Sequence, residues 1–240
     1  MSTSTAPELN IALLIFPRMT QLDMTGPFEV FARIPNARVH LCWKRIEPVV
    51  ADTGLTVMPS TTYADCPPAD VICVPGGPGQ IDLMEDEETI GFVRRQGEQA
   101  RYVTSVCTGA LVLGAAGLLR GYKAATHWAS MDNLPYFGAT PVKTRVCIDR
   151  NRITGGGVTA GIDFGLVVAE HLADRPTAEK IQLYMEYNPA PPYAAGSPDT
   201  APPAVLAAFN EMAKPMLTRR KEITQRVGAR LDAKNSKDAK

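Results

Sequence analysis

Tyr102-Val103-Thr104-Ser105-Val106-Cys107-Thr108-Gly109-Ala110-Leu111-Val112-Leu113 changes character half-way along. The first five residues read as a strand buried on both faces, and from Thr108 small and aliphatic residues open a helix. A strand that runs directly into a helix is half of a β-α-β unit. The residue between the two is lifted out at the carboxyl edge of the sheet, where open α/β sheets place their ligands. Three further apolar runs, 9–16, 39–43 and 71–74, repeat the strand pattern, and 27–34, 87–99, 108–116 and 160–172 carry helical patterns. The alternation predicts an α/β fold with a mainly parallel sheet and right-handed crossovers. Residues 143–154, with Asp149, Arg150 and Asn151 as turn residues, predict a hairpin added to that sheet.

The 240 residues are 45% hydrophobic and 21% charged, enough apolar material for one sizeable core. Lys plus Arg and Asp plus Glu are 25 each, so charge points to neither nucleic acid nor an acidic membrane surface as a partner. The longest apolar runs, 110–119 and 162–169, fall short of the ~20 residues a bilayer requires. Residues 1–10 lack the basic and apolar regions of a secretion signal. The five cysteines are odd in number and contain no C-x-x-C pair, so neither a disulfide framework nor a metal site is expected. A cytoplasmic location fits these features.

Three regions are expected: an extension over 1–8, a domain over 9–188, and a segment over 189–240. The last begins with Pro189, Pro191, Pro192, Pro198, Pro202 and Pro203, which preclude regular helix or central strand. Val205, Phe209, Met212, Met216, Ile223 and Val227 then form the stripe of an amphipathic helix, with a kink expected at Pro215. Such a stripe offers more apolar surface than one sandwich requires and predicts a homodimer. From residue 219 onward eight basic residues face three acidic ones, read as a solvated helix end rather than a nucleic-acid contact.

Cys107, at the strand-to-helix turn, is the candidate nucleophile, because the helix behind it supplies free N–H groups and a positive dipole end that favour thiolate. Cys42, Cys66, Cys73 and Cys147 read as packing residues. Pro75-Gly76-Gly77-Pro78-Gly79 follows another parallel strand, and its N–H groups could complete an oxyanion hole with that of Thr108. It lacks the Gly-Lys-Ser/Thr ending of a phosphate loop. Asp23 falls at the same sheet edge and has two readings, a helix-start acid or a proton carrier beside the thiol. His40 and His171 read as structural, whereas His127 could pair with Cys107. Thr154-Gly155-Gly156-Gly157-Val158-Thr159, between a strand and a helix, suits a pocket floor or a hinge.

Gln21-Leu22-Asp23 with Thr25-Gly26-Pro27, Pro75-Gly76-Gly77, Thr104-Ser105-Val106-Cys107-Thr108-Gly109, Thr126-His127-Trp128 and 154–163 together resemble the PfpI-type, class I glutamine-amidotransferase-like superfamily, and within it the isocyanide hydratases. The likeness runs over 11–222, including the proline-rich stretch. It implies a flavodoxin-like three-layer sandwich, a homodimer, no metal or other cofactor, and hydration of R–N≡C to an N-substituted formamide. It also implies roles: Cys107 as nucleophile, Asp23 as acid/base, Thr108 as an adjacent polar group, and Gly76, Gly77 and Gly156 around substrate or oxyanion. Many superfamily members carry glutamate near the cysteine, where this chain offers Asp23. The rival readings are another cysteine-dependent enzyme of the same fold (a glyoxalase, amidase or peptidase using His127) and a ligand-sensing domain like that of AraC-type regulators. Only 52 residues follow Asn188, too few for the helix-turn-helix region of about a hundred residues that those regulators append.

Overall fold

The computed structural model describes residues 8–238. In chain order the elements are β1 (Leu9–Leu14), α1 (Gln21–Phe31), β2 (Ala37–Trp43), β3 (Val49–Val50), β4 (Thr56–Val57), β5 (Thr61–Thr62), β6 (Val71–Val74), α2 (Gln80–Leu83), α3 (Glu87–Gln99), β7 (Tyr102–Val106) and α4 (Gly109–Ala115). They continue with β8 (Lys123–Ala124), a 3₁₀ segment (Trp128–Phe137), β9 (Thr140–Pro141), β10 (Val146–Asp149), β11 (Arg152–Gly155), α5 (Ala160–Leu172), α6 (Arg175–Tyr184) and α7 (Pro203–Asp238).

Seven strands form the main sheet in the order β10-β11-β7-β6-β1-β2-β5. Every pairing is parallel except the β10–β11 hairpin at one edge. β6 and β7 are central and buried on both faces, as their unbroken apolar sequences require. Helices cover both faces, giving the three-layer sandwich with a C-terminal helical extension. The expected extension over 1–8 lies, apart from Glu8, outside the described residues. Among the described residues no helix is long and apolar enough to cross a membrane.

Three expectations need correction. Helix α1 starts at Gln21, six positions before the expected start, so Pro27 is inside it. A proline there forfeits a backbone bond and marks a helix start by local preference alone. Packing overrides that preference: a Cβ at Gly161 would sit 3.1 Å from Pro27 Cδ, and one at Gly165 3.1 Å from Val30 Cβ, so α1 and α5 approach over small residues. Helix α6 was not anticipated; Asp174 caps it by accepting from the Thr177 N–H at 2.8 Å.

The third correction concerns α7, which runs continuously through Pro215. Val205 and Met212 of the expected stripe are 53% and 72% exposed. The inward positions are instead Leu206, Phe209, Ala213, Met216, Arg220, Ile223 and Val227, a regular alternation of three- and four-residue steps, with buried Thr224 beside them. This face lies on the chain's own 3₁₀ segment, α4 and α2. It is held at its edge by Arg226 and Arg230 on Glu85. Most of the surface taken as evidence for a second subunit is therefore covered within the protomer.

Candidate active site

β7 ends between β6 and β11, and the chain turns at Cys107 with φ 55°, a left-handed conformation unusual for a side chain with a Cβ. Such a conformation costs of order 1–3 kcal/mol and persists only where its surroundings over-determine it. They do so here. The Cys107 N–H donates to Gly156 O at 2.8 Å and to Gly155 O at 3.2 Å, and the Thr126 hydroxyl donates to Cys107 O at 2.7 Å. On the far side a Cβ at Gly109 would stand 2.0 Å from Val74 O, so only glycine lets α4 start this close to the end of β6.

Asp23, in the first turn of α1, is fully buried and bonds across to the glycine turn. Its Oδ2 accepts from the Gly76 N–H at 2.9 Å, and its Oδ1 has no partner. The Cys107 thiol is near enough to bias the carboxyl, though not aligned as a formed hydrogen bond; such alignments tighten when substrate is bound. Burial pushes the Asp23 pKa up to about 7, against the opposing pull of the thiol and of the Gly76 N–H. Burial also pushes the Cys107 thiol well above its ordinary range, and the Asp23 charge adds to this. The Thr108 N–H directed at sulfur, and the Arg220 charge, act in the opposite sense. The pair therefore holds its proton on sulfur, next to a carboxyl whose own ionisation is pushed up toward neutrality.

The glycine turn has a different task from the expected one. The N–H groups of Gly76 and Gly77 are not free to hold an oxyanion. The first binds Asp23, and the second donates to Thr108 Oγ1 at 3.1 Å. Gly76 is where two site residues converge: a Cβ there would lie 2.5 Å from Thr108 N, 2.7 Å from Thr108 Oγ1 and 2.8 Å from Asp23 Oδ2. Gly156 is likewise engaged, donating to Arg145 O at 2.8 Å while its carbonyl holds Cys107. Of the expected N–H donors, that of Thr108 is the one that acts on the sulfur, favouring its ionised form.

His127 caps the 3₁₀ segment, its Nδ1 accepting from the Ala129 N–H at 3.3 Å and its ring 5.6 Å from that of Trp128. Burial, with a smaller push from the Arg220 charge, lowers its pKa to about 4, so it is neutral at physiological pH. A cavity of about 430 Å³ opens beside the elbow, walled by Thr126, His127, Trp128, Gly156, Gly157 and, from the proline-rich segment, Ser197. Cys107 and Asp23 do not line it. Thr126 and Gly156, which do, are the residues bonded to the Cys107 main chain. Of the other cysteines, Cys42 and Cys66 touch each other at 3.5 Å, and Cys73 and Cys147 are buried in strands.

Residues 9–171 match the DJ-1/PfpI family. The chain belongs to that family. It is 57% identical over 224 residues to an isonitrile hydratase of Pseudomonas putida, covering 93% of this chain and 98% of that protein. A THiJ/PfpI family protein from Pseudomonas syringae, known from its crystal structure, superposes with a TM-score of 0.89 at 43% identity over 92% of each chain. The regulator GbdR of Pseudomonas aeruginosa is 37% identical over 120 residues, but these are 49% of this chain and 32% of the regulator.

Sequence reasoning missed Arg220. Its signal was present as a gap: the apolar stripe steps from Met216 to Ile223, and the inward position between them is occupied by arginine.

Proposed function

We propose that the protein hydrates isocyanides, R–N≡C, to N-substituted formamides, with Cys107 as nucleophile and Asp23 as proton carrier. The observation that carries this reading is the buried carboxyl oxygen Asp23 Oδ1, which has no partner and stands against an elbow thiol. The near full-length likeness to an isonitrile hydratase supports it. An isocyanide carbon needs both a nucleophile and a proton, and this pair offers both at one point.

Asp23 takes the Sγ proton as sulfur bonds to the terminal carbon and returns it to that same carbon, giving the thioimidate R–N=CH–S–Cys107. Water, with Asp23 as base, adds to this carbon while the nitrogen gains a proton. The tetrahedral adduct R–NH–CH(OH)–S–Cys107 collapses, releasing R–NH–CHO and restoring the thiol. The Thr108 N–H steadies the sulfur before attack and on departure. The Thr108 hydroxyl accepts from Gly77 and so keeps its own proton for the adduct. The cavity beside the elbow, with its apolar Trp128 wall, receives the R group. His127, neutral and committed to its cap, makes a poor base for the Cys-His rival.

This reading places the reaction in the cytoplasm and the enzyme in a homodimer. The test is direct: purified protein mixed with an aryl isocyanide should abolish the N≡C infrared stretch and yield the formamide. Loss of neither reactant nor stretch over many enzyme equivalents would overturn the reading.

A further inference from the structure

Arg220 is out of place by every local rule. It occupies an inward position of α7 between Met216 and Ile223 and is 3% exposed. Arginines of this helix otherwise look outward and find carboxylates, Arg219 on Asp82 and Arg226 and Arg230 on Glu85. Arg220, among the described residues, meets none. Its Nε donates to Gln80 Oε1 at 3.1 Å and its Nη1 to Ser130 Oγ at 3.2 Å, with Met216 Sδ at 3.8 Å from Nη2. A guanidinium stays charged in proteins, and burying a charge without a counter-charge costs several kcal/mol. An aliphatic residue would complete the stripe without that cost.

The two partners indicate what the charge is for. Gln80 follows directly on the glycine turn that binds Asp23 and Thr108, and Ser130 follows the His127 cap and donates its N–H to His127 O at 2.8 Å. The guanidinium thus spans the two loops that flank the elbow, from a helix outside the sandwich.

We propose that Arg220 is a positioning residue that supplies the compensating charge for the Cys107 thiolate, so that the C-terminal helix sets the reactivity of the elbow. The inference rests on the hydratase reading for its purpose but not for its test. The charged groups that act on the sulfur are Asp23 from α1, which opposes the thiolate, and, more weakly across the Gln80 and Ser130 loops, Arg220 from α7, which favours it; His127 is neutral, and Cys73 on β6 feels Asp23 and stays protonated. Arg220 is therefore the side-chain charge that works against Asp23 as the proton leaves sulfur, the smaller of the two.

The experiment is the pH dependence of Cys107 alkylation by iodoacetamide, read by intact mass, with no isocyanide present. Arg220→Met should raise the midpoint by about one pH unit, about a tenfold slower reaction on the rising limb, and Arg220→Lys should restore much of it. Should Arg220→Met fail to fold, the pair Ser130→Asp and Ser130→Asn decides the matter. The aspartate neutralises the guanidinium in place and should raise the midpoint, whereas the equally sized asparagine should not. A midpoint unchanged in folded Arg220→Met, or equal in Ser130→Asp and Ser130→Asn, would overturn the proposal. Formamide assays on the wild type judge the hydratase reading separately.

Discussion

Replacing Asp23 by asparagine should make the protein more stable while removing its activity, and the gain should depend on pH. The carboxyl is fully buried and its pKa is pushed from 3.8 up to about 7, mainly by burial. Below pH 3.8 it is protonated in both folded and unfolded chains, and stability is unaffected. Between 3.8 and about 7 the folded state retains a proton that the unfolded chain has released, so stability falls as pH rises and levels off above 7. At about 1.4 kcal/mol per pH unit the whole loss is about 4 kcal/mol. Asparagine has no such dependence, and its amide oxygen can still accept from Gly76. Urea unfolding of both proteins at pH 4.5 and pH 8, at one protein concentration, measures the effect. The advantage of Asp23→Asn should grow by about 3 kcal/mol between the two, other titrations cancelling in the difference. A difference that stays constant, or that shrinks with pH, would show that Asp23 is not held as a destabilised carboxylate and would remove the basis for its role as a base near neutrality.

Cys107→Ala should abolish formamide production, while alanine at Cys42, Cys66, Cys73 or Cys147 should leave most of it; turnover on an aryl isocyanide separates the two groups. Asp23→Asn should lower turnover roughly 10²–10⁴-fold, whereas His127→Gln should change it far less, and the reverse order in folded variants would favour the Cys-His rival. Wild-type turnover should rise with pH through about 7 as Asp23 ionises, and this limb should be missing from the residual activity of Asp23→Asn. Gly76→Ala should destabilise by about 1–3 kcal/mol and silence the enzyme, since its methyl group would displace Thr108 or Asp23; a denaturant midpoint and a turnover assay check both. Sedimentation at micromolar concentration should show a homodimer, and a monomer would contradict that part of the reading.

Much of the sheet was legible because β6 and β7 are buried on both faces, which leaves an unbroken apolar run in the sequence. The elbow was legible because nothing intervenes between Val106 and Gly109 except Cys107 and Thr108. The duties of the glycine turn were not, because an N–H leaves no trace in the sequence of which side chain it meets. Whether Gly76 faces an oxyanion or Asp23 depends on α1 arriving six residues earlier than Pro27 suggested. Arg220 was hidden for a different reason. Charged residues read as outward by default, and the gap that Arg220 leaves between Met216 and Ile223 becomes a signal once the register of α7 against the 3₁₀ segment is seen.

Helix α7 also imposes an order in time. Every strand of the sheet precedes Gly156, and the last helix of the sandwich ends at Tyr184, whereas Arg220 is synthesised about 36 residues later. At ~5–20 residues per second, translation spends roughly two to seven seconds between them. In that interval the emerging sandwich can already hold Cys107 beside Asp23, with a carboxylate disfavouring the thiolate and no cation to offset it. The nascent elbow thus lacks the proposed counter-charge toward whatever electrophile or oxidant it meets, and gains it only when the final helix docks.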